Sequence, residues 1–303
     1  MSLIWVISEK QGSLLELLAH AQGIAQGEKI AAWTFSAEAA HAASTRGADQ
    51  VREFVGLKRP EDAVSKLVEQ AKVDRPAAIL CGSTKSMKEV AARLAAALDG
   101  GLLNEAFNLQ RNGSSFTADH YVYGGLCVAR EAIAGSSFLA VMATKTTEAL
   151  AERPACPIET VTVAAGAIQW SEKRPSQSTS NLGEANVVVC VGRGLGKQED
   201  LELARRLAAK LGGELGCTRP VAEDLHWLAE DNYIGISGQV VKPSVYIGIG
   251  VSGQIQHVSG IRDAKTIIAI EKNENAPMVE AADYALVGDL YQILPSLLNA
   301  LGA

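Results

Sequence analysis

Apolar runs of strand length alternate with helix-like stretches along this chain, and that alternation restricts the fold more than any other feature of the sequence. In the first half the runs are LIWVIS (3–8), KIAAWTF (29–35) and AAILCG (77–82), and residues 85–98 follow with apolar side chains at helical spacing. Strands that are separated by helices pair in parallel and are covered by helices on both faces. The first half therefore predicts an α/β fold with an open, mostly parallel sheet.

The same pattern returns in the second half, with four apolar runs and two helix-like stretches. The runs are NVVVCVG (186–192), SVYIGIGV (244–251), TIIAI (266–270) and YALVG (284–288), and the helix-like stretches are 198–211 and the final LYQILPSLLNALG. This pattern predicts a second open, mostly parallel sheet flanked by helices, with a Rossmann-like fold. Ligands of such sheets bind at the carboxyl ends of the strands.

The stretch between the two patterns predicts a domain boundary. Strands are expected near 119–130 and 137–143, and residues 171–181, SEKRPSQSTSN, have no aliphatic or aromatic side chain. We therefore expect two domains joined by a linker. Their bounds are 1–170 for an N-terminal α/β domain, 171–185 for the linker and 186–303 for a C-terminal domain.

Charge and cysteine content argue against several classes of function. The formal net charge is −6 and the pI is about 5.5, which argues against electrostatic binding to nucleic acid or to an anionic membrane surface. No CxxC pair, HExxH motif or nucleophile elbow is present, so metal-dependent and hydrolytic chemistry lack support. Because the start lacks a signal-peptide pattern and no apolar stretch could span a bilayer, we expect a cytoplasmic protein with reduced cysteines.

Larger polar side chains follow the apolar run SVYIGIGV, where a connecting turn needs only small residues. In VSGQIQH (251–257), Ser252 and Gly253 can bring backbone N–H groups close to a ligand, while Gln256 and His257 can recognise polar atoms of a ring. A lone histidine is more often structural. Its place beside a glutamine at the end of a predicted strand favours a binding site here.

Two arginines lie in turn-like segments, and the first of these segments follows a predicted strand. GRGLGK (192–197) matches neither the dinucleotide fingerprint nor the P-loop, because lysine replaces the last fingerprint glycine and valine stands where the first P-loop glycine belongs. Arg193 nevertheless places a cation beside a predicted helix N-terminus, where phosphate is favoured. Arg219 lies between a threonine and a proline in GCTRPVAED (216–224), and by itself this is typical of a surface arginine.

Taken together, five segments resemble the α subunit of electron transfer flavoprotein. They are VGRGLG, GCTRPVAE, YIGISGQVVKPSVYIGIGVSGQIQHVSG, AIEKNENAP and ADYALVGDLYQILP. The resemblance is dense over about 186–300 and thinner over 1–170, where it depends on YGGLCVA and on the general α/β pattern. The Thr-Arg-Pro turn most resembles the Fix-type bacterial branch of that family.

This resemblance implies a function and a set of partners. The family carries one FAD on the C-terminal domain of the α subunit, and a β subunit completes a heterodimer and carries AMP. Family members transfer electrons from flavin dehydrogenases, such as acyl-CoA dehydrogenases, to a membrane quinone oxidoreductase or another acceptor. The chain would then be an electron carrier rather than a substrate-converting enzyme, and its N-terminal domain a scaffold that contacts the β subunit.

The resemblance also implies which residues contact FAD. They are Arg193, Thr218, Arg219, Ile234, Gly235, Ile236, Ser237, Ser252, Gly253, Gln254, Ile255, Gln256, His257, Glu271, Asp289 and Leu290. Arg219 is expected over the isoalloxazine ring, where a fixed cation favours the anionic reduced flavin. The Ser237 hydroxyl is expected near N5 and His257 near the N1–C2 region, so these three residues would tune the flavin. Asp289 and Leu290 are expected at the adenosine end.

Two positions depart from the family pattern. Position 236 is isoleucine where many relatives have glutamine, so one polar contact to the ring is absent. Glu271 stands where the family usually has asparagine, and an ionised carboxylate cannot donate a hydrogen bond to the cofactor. Glu271 is therefore expected either to turn away, to be neutralised by Lys272, or to weaken binding on the adenine side.

Two other functions fit parts of the sequence. An NAD-dependent oxidoreductase or transferase could use the same sheet, with Glu214, about twenty residues beyond Gly194, as the acid that binds ribose. The broken glycine fingerprint argues against it. A cofactor-free assembly subunit with a decayed flavin pocket is the third alternative, with Ile236 and Glu271 as its signs.

Overall fold

The chain forms two compact units, Met1–Glu172 and Lys173–Ala303. The computed structural model describes residues 3–133, 138–143, 150–164, 166, 168 and 180–302. Most of the predicted linker, 171–179, lies outside the described residues.

The described part of the first unit contains nine strands and four α-helices. The strands are β1 (Leu3–Ile7), β2 (Lys29–Thr34), β3 (Gln50–Val55), β4 (Ala78–Cys81), β5 (Gly101–Asn112), β6 (Ser115–Val122), β7 (Cys127–Ala132), β8 (Phe138–Met142) and β9 (Ile158–Thr162). The helices are α1 (Gln11–Ile24), α2 (Ala37–Thr45), α3 (Val64–Asp74) and α4 (Lys85–Ala97).

These strands form one sheet in the order β7-β6-β5-β8-β4-β1-β2-β3-β9. All neighbours are parallel except β5–β6 and β6–β7, so the mostly parallel sheet is confirmed. Buried side chains of α1 and α2 pack on one face and those of α3 and α4 on the other. The strands predicted near 119–130 are β6 and β7, an antiparallel pair joined by the short turn Tyr123–Gly125.

Over residues 180–302, the second unit contains five strands and four α-helices. The strands are β10 (Val187–Val191), β11 (Glu214–Cys217), β12 (Val245–Ile249), β13 (Ile267–Glu271) and β14 (Tyr284–Val287). The helices are α5 (Leu201–Lys210), α6 (Ile255–Val258), α7 (Pro277–Glu280) and α8 (Leu290–Ala300).

All neighbours in the second sheet are parallel, in the order β11-β10-β12-β13-β14. The α/β fold with Rossmann-like layers is therefore confirmed. Helices α5 and α8 cover one face, while Met278 of α7 belongs to the core on the other face. The chain leaves β10 toward β11 and returns on the opposite side as β12, so the loops after β10 and β12 diverge at a topological switch point.

The length and composition of the helices show whether any of them could cross a membrane. Among the described residues, none of the helices combines the length and apolar character needed to cross a bilayer.

Candidate functional site

The loops after β10 and β12 lie in direct contact at the switch point. Gly192 donates its backbone N–H to the Ile249 carbonyl, and Gly194 donates to the Gly250 carbonyl, each at 2.9 Å. A Cβ atom at Gly194 would lie 2.6 Å from the Gly250 Cα, and Gly250 itself has a φ of 58°. Glycine is therefore required on both sides for the two loops to approach this closely.

Gly253 permits a second close approach, on the other side of the same loop. Its φ is 79°, and a Cβ atom there would collide with the backbone of Met278. The Met278 N–H donates to the Ser252 carbonyl at 3.2 Å. The loop after β12 is thus held between the loop after β10 and the start of α7, which leaves the Ser252 and Gln254 side chains exposed.

A cleft opens beside this junction, at the carboxyl ends of the central and last strands. It is lined by Gly194, Gly250, Ile270, Glu271, Lys272, Gly288, Asp289, Leu290 and Tyr291. Its cavity volume of about 100 Å³ is below the ~300 Å³ that whole small-molecule pockets need. The cleft therefore suits one part of a larger ligand, and it brings together three predicted residues, Glu271, Asp289 and Leu290.

Both carboxylates of the cleft bond to nearby backbone. Glu271 Oε1 accepts the N–H groups of Lys272 at 3.0 Å and Asn273 at 3.2 Å. Asp289 Oδ1 accepts the Tyr291 N–H at 2.9 Å and so caps α8. The Glu271 side chain therefore folds back onto the backbone that follows it. An asparagine, although shorter, makes the same kind of local hydrogen bond.

One nitrogen of the Arg219 guanidinium is hydrogen-bonded to a neighbouring carboxylate. Its Nε donates to Glu223 Oε2 at 2.6 Å, and its side chain is 64% exposed. The guanidinium is charged at physiological pH, and the Glu223 carboxylate raises the pKa of Arg219 further. Just before it, Thr218 donates its N–H to the Val191 carbonyl at 2.9 Å, which ties the turn after β11 to the end of β10.

Arg193 is exposed in the turn after β10. The helix predicted to follow this turn, α5, begins at Leu201. A short 3₁₀ turn that carries Glu199 and Asp200 comes before the helix. The charge of Arg193 and nearby backbone N–H groups could attract an anion to this turn.

Residues 234–237 connect the loops after β11 and β12. The Ile234 N–H donates to the Cys217 carbonyl and the Ile236 N–H to the Gln256 carbonyl, both at 2.9 Å. Gly235 has a φ of 155° and donates its N–H to the Gln239 carbonyl. The Ser237 hydroxyl lies 2.9 Å from the Tyr233 hydroxyl, and the Ile236 side chain is exposed.

His257 points into the domain. Its ring Nδ1 lies 2.9 Å from the Ile234 carbonyl and its Nε2 lies 2.7 Å from the Tyr246 hydroxyl. Burial lowers the pKa of His257 to about 4, with the Ile234 bond acting in the opposite direction. The ring is therefore neutral at pH 7. This differs from the expectation that the imidazole faces a ligand, because both ring nitrogens are bonded inside the protein.

The remaining predicted residues lie on or beside α6. Ile255 is the first residue of that helix, Gln254 precedes it, and the Gln256 side chain is exposed while its carbonyl holds Ile236. The loops after β10, β11 and β12 thus bring the predicted residues from 193 to 257 to one edge of the sheet.

Sequence reasoning missed Tyr291. Its hydroxyl accepts the Gly196 N–H at 2.8 Å and donates to Asp200 Oδ2 at 2.6 Å, so it fastens the turn after β10 to α8. The sequence feature that could have identified Tyr291 is its position two residues after Asp289, which caps the helix. Three other residues that line the cleft each come directly after a strand of the second sheet: Gly250 follows β12, Lys272 follows β13 and Gly288 follows β14.

Glu214 does not lie at this edge. It is the first residue of β11 and pairs with Val188 in the sheet, so it lies at the amino end of the strand. A ribose-binding acid belongs at the carboxyl end, beside the phosphate loop. The position of Glu214 therefore argues against the NAD-dependent alternative, which needed this residue to bind ribose.

The comparisons with known proteins all point to one family. Residues 181–262 match the electron transfer flavoprotein FAD-binding domain and residues 4–166 match the electron transfer flavoprotein domain. The chain is 36% identical to the putative electron transfer flavoprotein subunit YdiR of Escherichia coli K12, over 98% of this chain and 97% of that protein. It is also 36% identical to protein FixB of Salmonella typhimurium, over 99% and 98% respectively.

Protein FixB of Escherichia coli O157:H7 is 35% identical, again over 99% of this chain and 98% of the relative. One matched domain lies in each unit, and the FAD-binding match over 181–262 includes the loops after β10 and β11 and most of the loop after β12. The chain therefore belongs to the electron transfer flavoprotein family, as an α-type member.

Proposed function

We propose that this chain binds one FAD at the carboxyl edge of its second sheet and carries electrons as the α subunit of a heterodimeric electron transfer flavoprotein. One observation supports this most directly. The loops after β10, β11 and β12 are bonded to one another through residues 234–237 and through Gly194 and Gly250. The matched FAD-binding domain spans the first two of these loops and most of the third.

The residues at this edge fit an anionic dinucleotide with a flat ring. Arg193 and Arg219 supply exposed cations, and a glycine-lined junction leaves room for close approach to backbone. The separate cleft between β13 and β14 has the size of one ligand part and offers Asp289 and Lys272 as polar partners. We infer that phosphates lie on the arginine side and adenosine lies in the cleft.

Bound FAD would supply the electron-accepting chemistry, and the protein's residues would hold and tune it. Arg219 is a permanent cation because a guanidinium is protonated at any physiological pH, and Glu223 raises its pKa further. Since Glu223 occupies only Nε, the two terminal nitrogens of the guanidinium remain available to an anionic group. A cation near the ring favours added negative charge, and the effect grows where water is excluded.

His257 and Ser237 act differently in this proposal. The buried imidazole of His257 holds the Ile234 carbonyl and so fixes the 234–237 segment rather than presenting a charge. The exposed Ser237 hydroxyl, shared with Tyr233, can turn toward a ligand. Ile236 offers an exposed apolar side chain against which part of a ring could pack.

The partners belong to the same proposal. A β subunit that carries AMP would complete the heterodimer and contact the N-terminal unit. Electrons would come from flavin dehydrogenases such as acyl-CoA dehydrogenases and pass to a quinone oxidoreductase or another acceptor in the cytoplasm. The name FixB of two similar proteins supports a place in the Fix-type branch of the family.

FAD titration of the heterodimer tests the arginine side of the site. Arg219→Gln should weaken FAD binding roughly tenfold, the effect of one lost charge-assisted bond. Arg206→Gln, at an exposed position on α5, removes the same charge away from the site and should leave the affinity unchanged. Equal affinities for the two variants would contradict the assignment of Arg219.

A further inference from the structure

Tyr246 reaches His257 by lying along its own strand. Tyr246 is fully buried near the start of β12, and its side chain shares a face of the strand with Gly248. A Cβ atom at Gly248 would lie 3.2 Å from the Tyr246 ring. The missing side chain at position 248 thus lets the ring lean toward the carboxyl end of the strand, where His257 lies.

The strands on either side of β12 also leave room for the Tyr246 ring. Cys190 of β10 and Ala269 of β13 pair in register with Gly248, so three small residues lie side by side across the sheet. The Tyr246 and His257 rings pack above them with centroids 6.0 Å apart and a 54° tilt. This region is buried, so each polar atom in it needs a partner from the protein.

The hydrogen bonds determine the state of the imidazole. A backbone carbonyl can only accept, so Nδ1 must carry the proton that bonds Ile234. In the neutral ring Nε2 is then an acceptor, and the Tyr246 hydroxyl must donate to it. The Cys190 sulfur at 3.9 Å is a weaker neighbour. Burial also disfavours the charged imidazole.

This arrangement connects the core of the domain to the candidate site. His257 bonds the Ile234 carbonyl, while the Ile234 and Ile236 N–H groups bond Cys217 and Gln256. The 234–237 segment is therefore fixed from three directions. Tyr246 reaches this segment through its hydrogen bond to His257, and the Cys190 thiol is the other neighbour of its hydroxyl.

We propose that Tyr246 is a positioning residue: its hydroxyl keeps His257 turned inward as the Nδ1–H tautomer, and His257 in turn fixes the 234–237 segment for binding of the FAD ring. The link from Tyr246 to His257 stands on geometry alone, and its consequence for FAD depends on the function proposed above.

Tyr246→Phe removes the donor while preserving the ring. With Nε2 left unsatisfied in the core, the imidazole should leave its single bonded state. In the full chain bound to its β subunit, with ¹⁵N-labelled histidine, the Nε2 and Nδ1 resonances of His257 should move or broaden. Amide hydrogen exchange at Ile234 and Ile236 should accelerate about tenfold, and the FAD dissociation constant should rise about tenfold.

Two further variants make the test decisive. Tyr284→Phe removes an exposed hydroxyl from β14 and should change none of these readouts. Gly248→Ala should disturb the Tyr246 ring by contact and reproduce the His257 shifts, which keeps the test available if Tyr246→Phe does not fold.

The proposal is overturned if Tyr246→Phe behaves like Tyr284→Phe in the imidazole spectrum. It is also overturned if His257 and the two amides respond while FAD affinity stays unchanged. A wild-type heterodimer that takes up no FAD would instead contradict the proposed function, and the imidazole spectrum would still decide whether Tyr246 holds His257.

Discussion

The backbone N–H of Gly194 donates to the Gly250 carbonyl at 2.9 Å, and this bond joins the loops that diverge from the centre of the second sheet. The bond is possible because neither residue has a side chain. Ligands of open α/β sheets bind at such a divergence. The two glycines therefore fix the geometry of the edge that we assign to FAD.

Replacing Gly250 with alanine should destabilise the second unit more than its backbone conformation alone explains. A Cβ atom there would lie 2.7 Å from the Gly194 Cα, and φ is 58°. Gly212 has a similar φ of 62° with no atom within 4 Å, so Gly212→Ala measures the conformational cost by itself. Urea unfolding should show a loss of about 1 kcal/mol for Gly212→Ala and about 3 kcal/mol for Gly250→Ala. Equal losses would show that the loops separate without cost.

Stability should fall as the pH is lowered from about 6.5 to about 4, in part because of His257. Burial lowers the pKa of this residue from 6.5 to about 4 in the folded protein, so over this range the unfolded chain binds a proton that the folded chain does not. The stability present above pH 6.5 is thus lost on acidification, by up to about 3 kcal/mol.

His257→Gln should flatten this part of the profile, as measured by urea unfolding at several pH values. His20 contributes in the same direction, because burial also lowers its pKa, so the difference from wild type is the informative quantity. His41→Gln, at an exposed position on α2, serves as the control. An unchanged slope in His257→Gln would mean that the imidazole is hydrated or charged in the folded state.

Asp289 should contribute to stability through its cap and to FAD binding through its place in the cleft. Asp289→Ala removes the bond to the Tyr291 N–H and should cost about 1 kcal/mol of unfolding free energy. Asp289→Asn keeps a capping oxygen, so its stability should stay within about 0.5 kcal/mol of wild type. Thermal unfolding of the two variants separates the cap from the charge, and equal destabilisation would contradict the capping role.

Glu271→Asn should strengthen FAD binding by roughly threefold to tenfold. The present carboxylate bonds the backbone of its own turn, and asparagine can replace that bond without placing a negative charge in the cleft. Glu271→Gln removes the charge with the longer side chain and tests whether charge or shape matters. Isothermal titration gives the affinities, and a weaker complex for both variants would show that the carboxylate itself contacts the cofactor.

Much of the second sheet could be predicted because its central strands are largely buried. Val187–Val191 and Val245–Ile249 are continuous apolar runs between glycines or polar turns, which is typical of central parallel strands. In the first unit, the strands predicted near 119–130 include only the first part of β7, because Cys127–Ala132 is largely exposed and has no apolar run that marks its end. Its place in the sheet depends on antiparallel pairing with β6.

The sequence predicts which loops form the candidate site, but it does not predict the directions in which their side chains point. The sequence indicates that His257 follows a strand, whereas the direction of its ring depends on the space above Gly248 and on the Tyr246 hydroxyl. The turn of Glu271 onto Lys272 and Asn273 and the bond from Tyr291 to Asp200 likewise depend on backbone geometry. Such contacts arise from tertiary packing, which the spacing of residue types does not encode.

The most direct test of the central claim is the absorption spectrum of the full chain coexpressed and purified with its β subunit, before and during stepwise reduction with dithionite. The account predicts flavin bands that correspond to about one FAD per heterodimer and that bleach as electrons are added. A colourless heterodimer that also fails to take up added FAD would contradict the account, whatever the fold of the second sheet.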